Sequence, residues 1–126
     1  MTKLQLRWER WQGTGVPDPF RILVVYDRSP NGATPTITSI LSGNGISTPV
    51  NLANTDRFLI LMDIYPCAQQ GMTELYMCNK ENRKFSPALE ARWTGSTGGV
   101  TDMTTGGIWV FWCNTGQVGT SQTLQI

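Results

Sequence analysis

Apolar residues in this chain recur at every second position, in short runs closed by glycine, proline and asparagine, and this period of two constrains its fold more than any other feature. Phe20, Ile22, Val24 and Tyr26 alternate with Arg21, Leu23, Val25 and Asp27. Successive side chains of a strand point to opposite faces, so both faces of this run are largely apolar. A strand of that kind is interior, covered on each side. The run 108–113 has the same character, with Ile108, Val110 and Trp112 against Trp109, Phe111 and Cys113. So does 57–65, with Phe58, Ile60, Met62 and Ile64 against Leu59, Leu61, Asp63 and Tyr65.

The remaining runs are more polar. In 3–9, Leu4, Leu6 and Trp8 share one face, and Lys3, Gln5, Arg7 and Glu9 the other. Trp11 falls out of phase, which predicts a bulge or the end of that strand. A weaker strand is expected over 74–78, a polar turn over 79–84, and an edge or break near Pro87 within 84–93. Turns are expected over 13–19 and at Ser29-Pro30-Asn31-Gly32, a loop over 46–55, and a long Gly/Thr loop over 94–107. The last strand, 123–126, stops in mid-alternation. Both ends look cut, so residues 1–126 are expected to be one domain that forms the ordered core of a longer protein.

One helix fits. Thr34 or Thr36 offers a cap with Pro35 beside it, and Ile37, Ile40 and Leu41 form a single apolar stripe. The expected span is 36–42, roughly two turns. The fold class is therefore all-β, a sandwich with one short helix.

Composition narrows the function. Charged residues are only 15% of the chain and the net charge is +1, so a surface strongly basic overall is excluded. No run is long and apolar enough for a membrane-spanning helix, and Lys3, Arg7, Glu9 and Arg10 interrupt any signal-peptide core. Histidine is absent, which removes Ser-His and Cys-His nucleophiles and the commonest metal ligand. Cys67, Cys78 and Cys113 are odd in number and spaced unlike any zinc motif; their apolar surroundings predict buried free thiols. A Cys67–Cys78 disulfide is the alternative.

Gly98-Gly99 and Gly106-Gly107 lack an adjacent lysine and read as loop hinges, not phosphate cradles. Asp27, Asp56 and Asp63 lie at or beside strand ends; turn hydrogen bonds and ion pairs account for them better than a glycosidase pair does. Neither an enzymatic activity nor a cofactor is expected. Of the five tryptophans, Trp8, Trp109 and Trp112 suit the core, and Trp11 and Trp93 suit a surface between subunits or a sugar-stacking platform. Lys3, Arg7 and Arg10 are candidates for nucleic-acid contact, with Arg10 facing away from the other two in a regular strand.

The ordered set of motifs resembles a known family. Phe-Arg-Ile-Leu-Val-Val-Tyr-Asp-Arg-Ser-Pro-Asn-Gly-Ala-Thr-Pro (20–35), the stripe Ile37 to Leu41, Asp56-Arg57-Phe58-Leu59-Ile60-Leu61, and the Gly/Thr loop 94–102 leading through Thr105-Gly106-Gly107 to Ile108-Trp109-Val110-Phe111 follow one another in order. This pattern resembles coat proteins of small circular Rep-encoding single-stranded DNA viruses, of circovirus and geminivirus type. It is also similar to coat proteins of tobacco necrosis satellite viruses. The resemblance implies a single jelly roll of two facing four-stranded antiparallel sheets. It implies self-assembly of about 60 copies into a closed shell within a virion. It implies a packaged genome, single-stranded DNA ahead of single-stranded RNA, held mainly by a basic N-terminal arm that this sequence does not carry. Subunit contacts are then expected on loops and sheet edges, at Trp11, Trp93, Thr97 and Asp102. A carbohydrate-binding sandwich is the alternative function.

Overall fold

The computed structural model describes residues 1–12, 19–65 and 75–114 of the chain. The expected turn over 13–19, except Pro19, lies outside the described residues, as do Cys67, Glu74 and the strand 123–126. Among the described residues seven strands run in the order β1 (Lys3–Gln12), β2 (Phe20–Asp27), β3 (Phe58–Ile64), β4 (Leu75–Lys84), β5 (Arg92–Trp93), β6 (Met103–Thr105) and β7 (Gly107–Asn114). One helical turn, α1 (Ile37–Ile40), and two 3-10 turns, Leu52–Asn54 and Val100–Asp102, accompany them. The fold is all-β, with antiparallel pairing throughout the described strands. Those strands form sheets of two (β1-β4), three (β3-β2-β7) and two (β5-β6), not two sheets of four.

β2 is the centre of the three-stranded sheet and is buried at all eight positions, as its two apolar faces require. On one face Leu23, Val25, Phe58, Trp109, Phe111 and Cys113 form a core with Ile37, Ile40, Leu41 and Met103. On the other face Val24, Tyr26, Leu61 and Met62 meet Leu4 of β1, with Leu6, Phe85 and Leu89 at the margin. The central sheet is thus covered by α1 and the loop segments on one side and by the β1-β4 ribbon on the other. The Phe20 ring joins ribbon to sheet. It stacks on Trp112 at 4.7 Å and meets the edge of Trp8 at 5.6 Å.

Several expectations are corrected. Of the two outcomes expected at Trp11, the bulge is absent, since pairing with β4 runs unbroken from Lys3↔Lys84 to Gln12↔Leu75, and β1 ends one residue later, at Gln12. The expected polar turn over 79–84 is strand, because β1 supplies backbone partners that composition does not reveal. The alternation of β3 breaks instead. Val24 pairs with Met62 and Val25 with Ile60, so Leu61 is an extra residue. Met62 consequently joins Leu61 on the ribbon side, away from Phe58 and Ile60. α1 is one turn, not two, because Leu41 turns extended and bridges Val50. Thr36 is its N-cap without a side-chain cap bond. The long loop over 94–107 contains a 3-10 turn and β6.

Candidate functional site

Three constellations of polar side chains stand out. The first ties the end of β2 to the start of β3. The Arg57 guanidinium donates to both oxygens of Asp27, at 2.9 and 2.8 Å, and to Asn31 Oδ1 at 3.2 Å. Asp27 is completely buried and also accepts from Ser29 N at 3.1 Å. Its hydrogen bond to Asp27 raises the Arg57 pKa above the ordinary value against the opposing effect of burial. The turn 29–32 is thereby fixed from across the sheet, with Gly32 at φ +77° as its left-handed residue.

The second is built on Arg21, only 2% exposed and overlooked in the sequence. It donates to Asp63 Oδ1 and Oδ2 at 2.8 and 2.7 Å, and to the carbonyls of Ile46 and Thr48 at 3.1 and 2.7 Å. Burial opposes its charge most strongly, yet the bidentate bond and the field of Asp63 together raise its pKa above the ordinary value. Its guanidinium also lies 4.8 Å over the ring of Tyr65. A signal was present. Arg21 and Asp63 are charges within two largely apolar runs, and charges placed there need partners. Asp27 and Asp63 each bind an arginine through both oxygens, so neither is held as an open acid or base. Asp56 takes part through its carbonyl, which accepts from Arg28 at 3.0 Å.

The third is the loop before β6. Asp102 Oδ2 accepts from Thr97 N at 2.8 Å, Thr97 Oγ1 at 2.7 Å and Gly98 N at 2.8 Å. The Thr97 hydroxyl, and after it the backbone N–H groups of Thr97, Gly98 and Gly99, hold the Asp102 carboxyl below its usual range, burial opposing. Asp102 thus organises its own loop, while Thr97 is exposed on it.

The ribbon face carries the candidate nucleic-acid residues. Lys3 and Arg7 are exposed on the outer face of β1, and Arg10 points the other way, its guanidinium 4.4 Å over the Phe20 ring. The register adds residues that the expected turn had hidden. Lys84 lies opposite Lys3, Lys80 opposite Arg7, and Asn82 opposite Gln5. Directly opposed residues share a face. The outer face therefore holds Lys3, Arg7, Lys80 and Lys84 with a single carboxylate, Glu9.

The aromatic and thiol expectations divide. Trp109 is fully buried; Trp8 and Trp112 are half-buried against Phe20. Trp93 is not exposed: it is half-buried against the α1-side core. Trp11 belongs to β1, but its side chain lies outside the described residues. Cys113 is buried and its thiol pKa is pushed up, by burial first. Cys78 is exposed and free, because its position opposite Glu9 puts it on the ribbon's outer face. A mostly apolar cleft of about 170 Å³ opens between Tyr26, Leu89, Trp93, Met103 and Ile108. Among the described residues no group of three or more Cys, Asp or Glu could hold a metal ion. No described helix is long and apolar enough to cross a membrane.

No protein-family model matches the chain, and a search of curated proteins finds no match either.

Proposed function

We propose that the chain is the shell domain of a small icosahedral virus coat protein, a structural subunit that closes with identical copies around a nucleic-acid genome. The Asp27–Arg57 pair is the observation that carries this reading. Two steps that anchor the resemblance, Asp27-Arg28 and Asp56-Arg57-Phe58, meet as one buried ion pair between neighbouring strands. The pair fixes a scaffold, with both Asp27 oxygens engaged by Arg57 and neither open to a substrate. That use of polar residues suits a building block better than a catalyst.

In this reading the described strands are parts of one jelly roll over residues 1–126. Trp11, Trp93, Thr97 and Asp102 lie at or beneath contacts between copies. The loop pinned by Asp102 supports this, since a loop already ordered loses less entropy on association. The genome is single-stranded DNA ahead of single-stranded RNA, and the particle is the virion. The carbohydrate-binding alternative loses support, because Trp93 packs inward.

Sedimentation velocity of the expressed chain tests the proposal. About 60 copies of a 14.0 kDa chain would sediment as a species of roughly 0.8 MDa. A monodisperse monomer at all concentrations would contradict it.

A further inference from the structure

The register of the β1-β4 ribbon creates two like-charge pairs on one face. Lys3 stands directly opposite Lys84, and Arg7 directly opposite Lys80. All four are exposed, and none forms an ion pair with a described residue. Like charges directly opposed across an antiparallel pair destabilise it. Between them Gln5 Nε2 donates to Asn82 Oδ1 at 2.8 Å, a neutral rung separating two positive ones. The whole chain has a net charge of only +1, so this concentration of cations is local.

We propose that this outer face binds a single strand of nucleic acid through its phosphates, with Lys3/Lys84 and Arg7/Lys80 each clamping one phosphate. Lys3 and Arg7 are four positions apart, about 13 Å along a strand. The two clamps therefore lie in line along the ribbon, with the Gln5–Asn82 amides facing the sugar or base between them. The stripe is one pair of strands wide, about 5 Å. That width matches one sugar–phosphate chain, not two. A bound polyanion neutralises both opposed pairs at once and removes the repulsion that the register imposes. Lys80, Asn82 and Lys84 are thus binding residues as much as Lys3 and Arg7. The choice of nucleic acid as the polyanion rests on the shell reading; the stripe itself rests on the register alone.

Fluorescence anisotropy with a short labelled oligothymidylate, titrated across salt concentrations, tests this. Two clamped phosphates predict a slope of log affinity against log salt of about −1.4, at roughly −0.7 per neutralised phosphate for single strands. The double variant Lys80→Gln/Lys84→Gln, which leaves one cation at each clamp, should lose at least about tenfold in affinity at low salt and show a shallower slope. The control Arg28→Gln/Arg92→Gln removes the same charge elsewhere and should change neither by more than about twofold. An equal loss in the control would overturn the inference, because attraction would then be general. Equal binding of duplex DNA would overturn the single-strand claim, and binding of a heparin oligosaccharide but not of oligothymidylate would reassign the face to a sulfated glycan. Sedimentation run in parallel separates the two readings. A chain that assembles but does not bind overturns this inference alone; one that binds but never assembles overturns the shell reading alone.

Discussion

Asp27 and Arg57 stand 30 residues apart in sequence and meet through two hydrogen bonds of 2.9 and 2.8 Å. The carboxylate is wholly buried while the arginine side chain keeps 30% of its surface in solvent. The two partners are therefore unequal: losing Arg57 strands a buried charge, whereas losing Asp27 leaves a guanidinium that water can still reach.

Removing one partner of a buried pair costs about 3–5 kcal/mol. Arg57→Ala should lower unfolding free energy by about 3 kcal/mol in urea denaturation. Asp27→Asn in the same background should recover part of that loss, since no unpaired charge then remains inside. A cost below about 1 kcal/mol for Arg57→Ala would show that the pair does not hold β2 to β3.

Gly106 allows the close approach of residue 90 to β2. Its φ is +67°, and a Cβ there would lie 1.9 Å from Glu90 O and 2.5 Å from Tyr26 Oη. Those two atoms are themselves joined, the Tyr26 hydroxyl donating to the Glu90 carbonyl. Gly106→Ala should cost more than about 2 kcal/mol, from backbone strain and the displaced carbonyl together. Tyr26→Phe, which loses one hydrogen bond without a clash, should cost about 1 kcal/mol. Thermal melts of both variants compare them directly, and an equal cost for the two would refute this account of Gly106.

The Asp102 loop should depend on pH in one direction. Its carboxyl titrates below the ordinary 3.8 in the folded loop. Its contribution is therefore complete above pH 3.8 and disappears as pH falls through the lower, folded-state value. Hydrogen exchange of the Thr97 and Gly98 amides should stay slow down to that point and accelerate below it. In Asp102→Ala exchange should be fast at every pH. Amides that remain protected in Asp102→Ala would mean that another group holds the loop.

The thiols should differ sharply in reactivity. Cys78 is exposed, whereas Cys113 is buried with its pKa raised. Maleimide labelling of the native protein, mapped by mass spectrometry, should modify Cys78 within minutes and Cys113 only after unfolding. Rapid native modification of Cys113 would contradict its position in the core.

Alternation alone located β2 and β7, because runs apolar on both faces have few other folds open to them. It failed where pairing outweighed composition. Asn79 to Lys84 is polar enough for a turn, yet it is strand because Lys3 to Trp8 lie beside it. Leu61 could not be recognised as a bulge, since every neighbour is apolar and either parity looks acceptable. Of the candidates for nucleic-acid contact, Lys3 and Arg7 are exposed on one face, but the two lysines opposing them became visible only through register. Arg21 and Asp63 were legible in principle, as charges within two largely apolar runs whose burial demands a partner.

Negative-stain electron microscopy of the purified chain tests the shell reading most directly. The account predicts closed, uniform spheres roughly 20 nm across, as a one-domain shell of about 60 subunits requires. Fields that contain only particles of single-chain size, at concentrations and salt conditions that favour association, would contradict it.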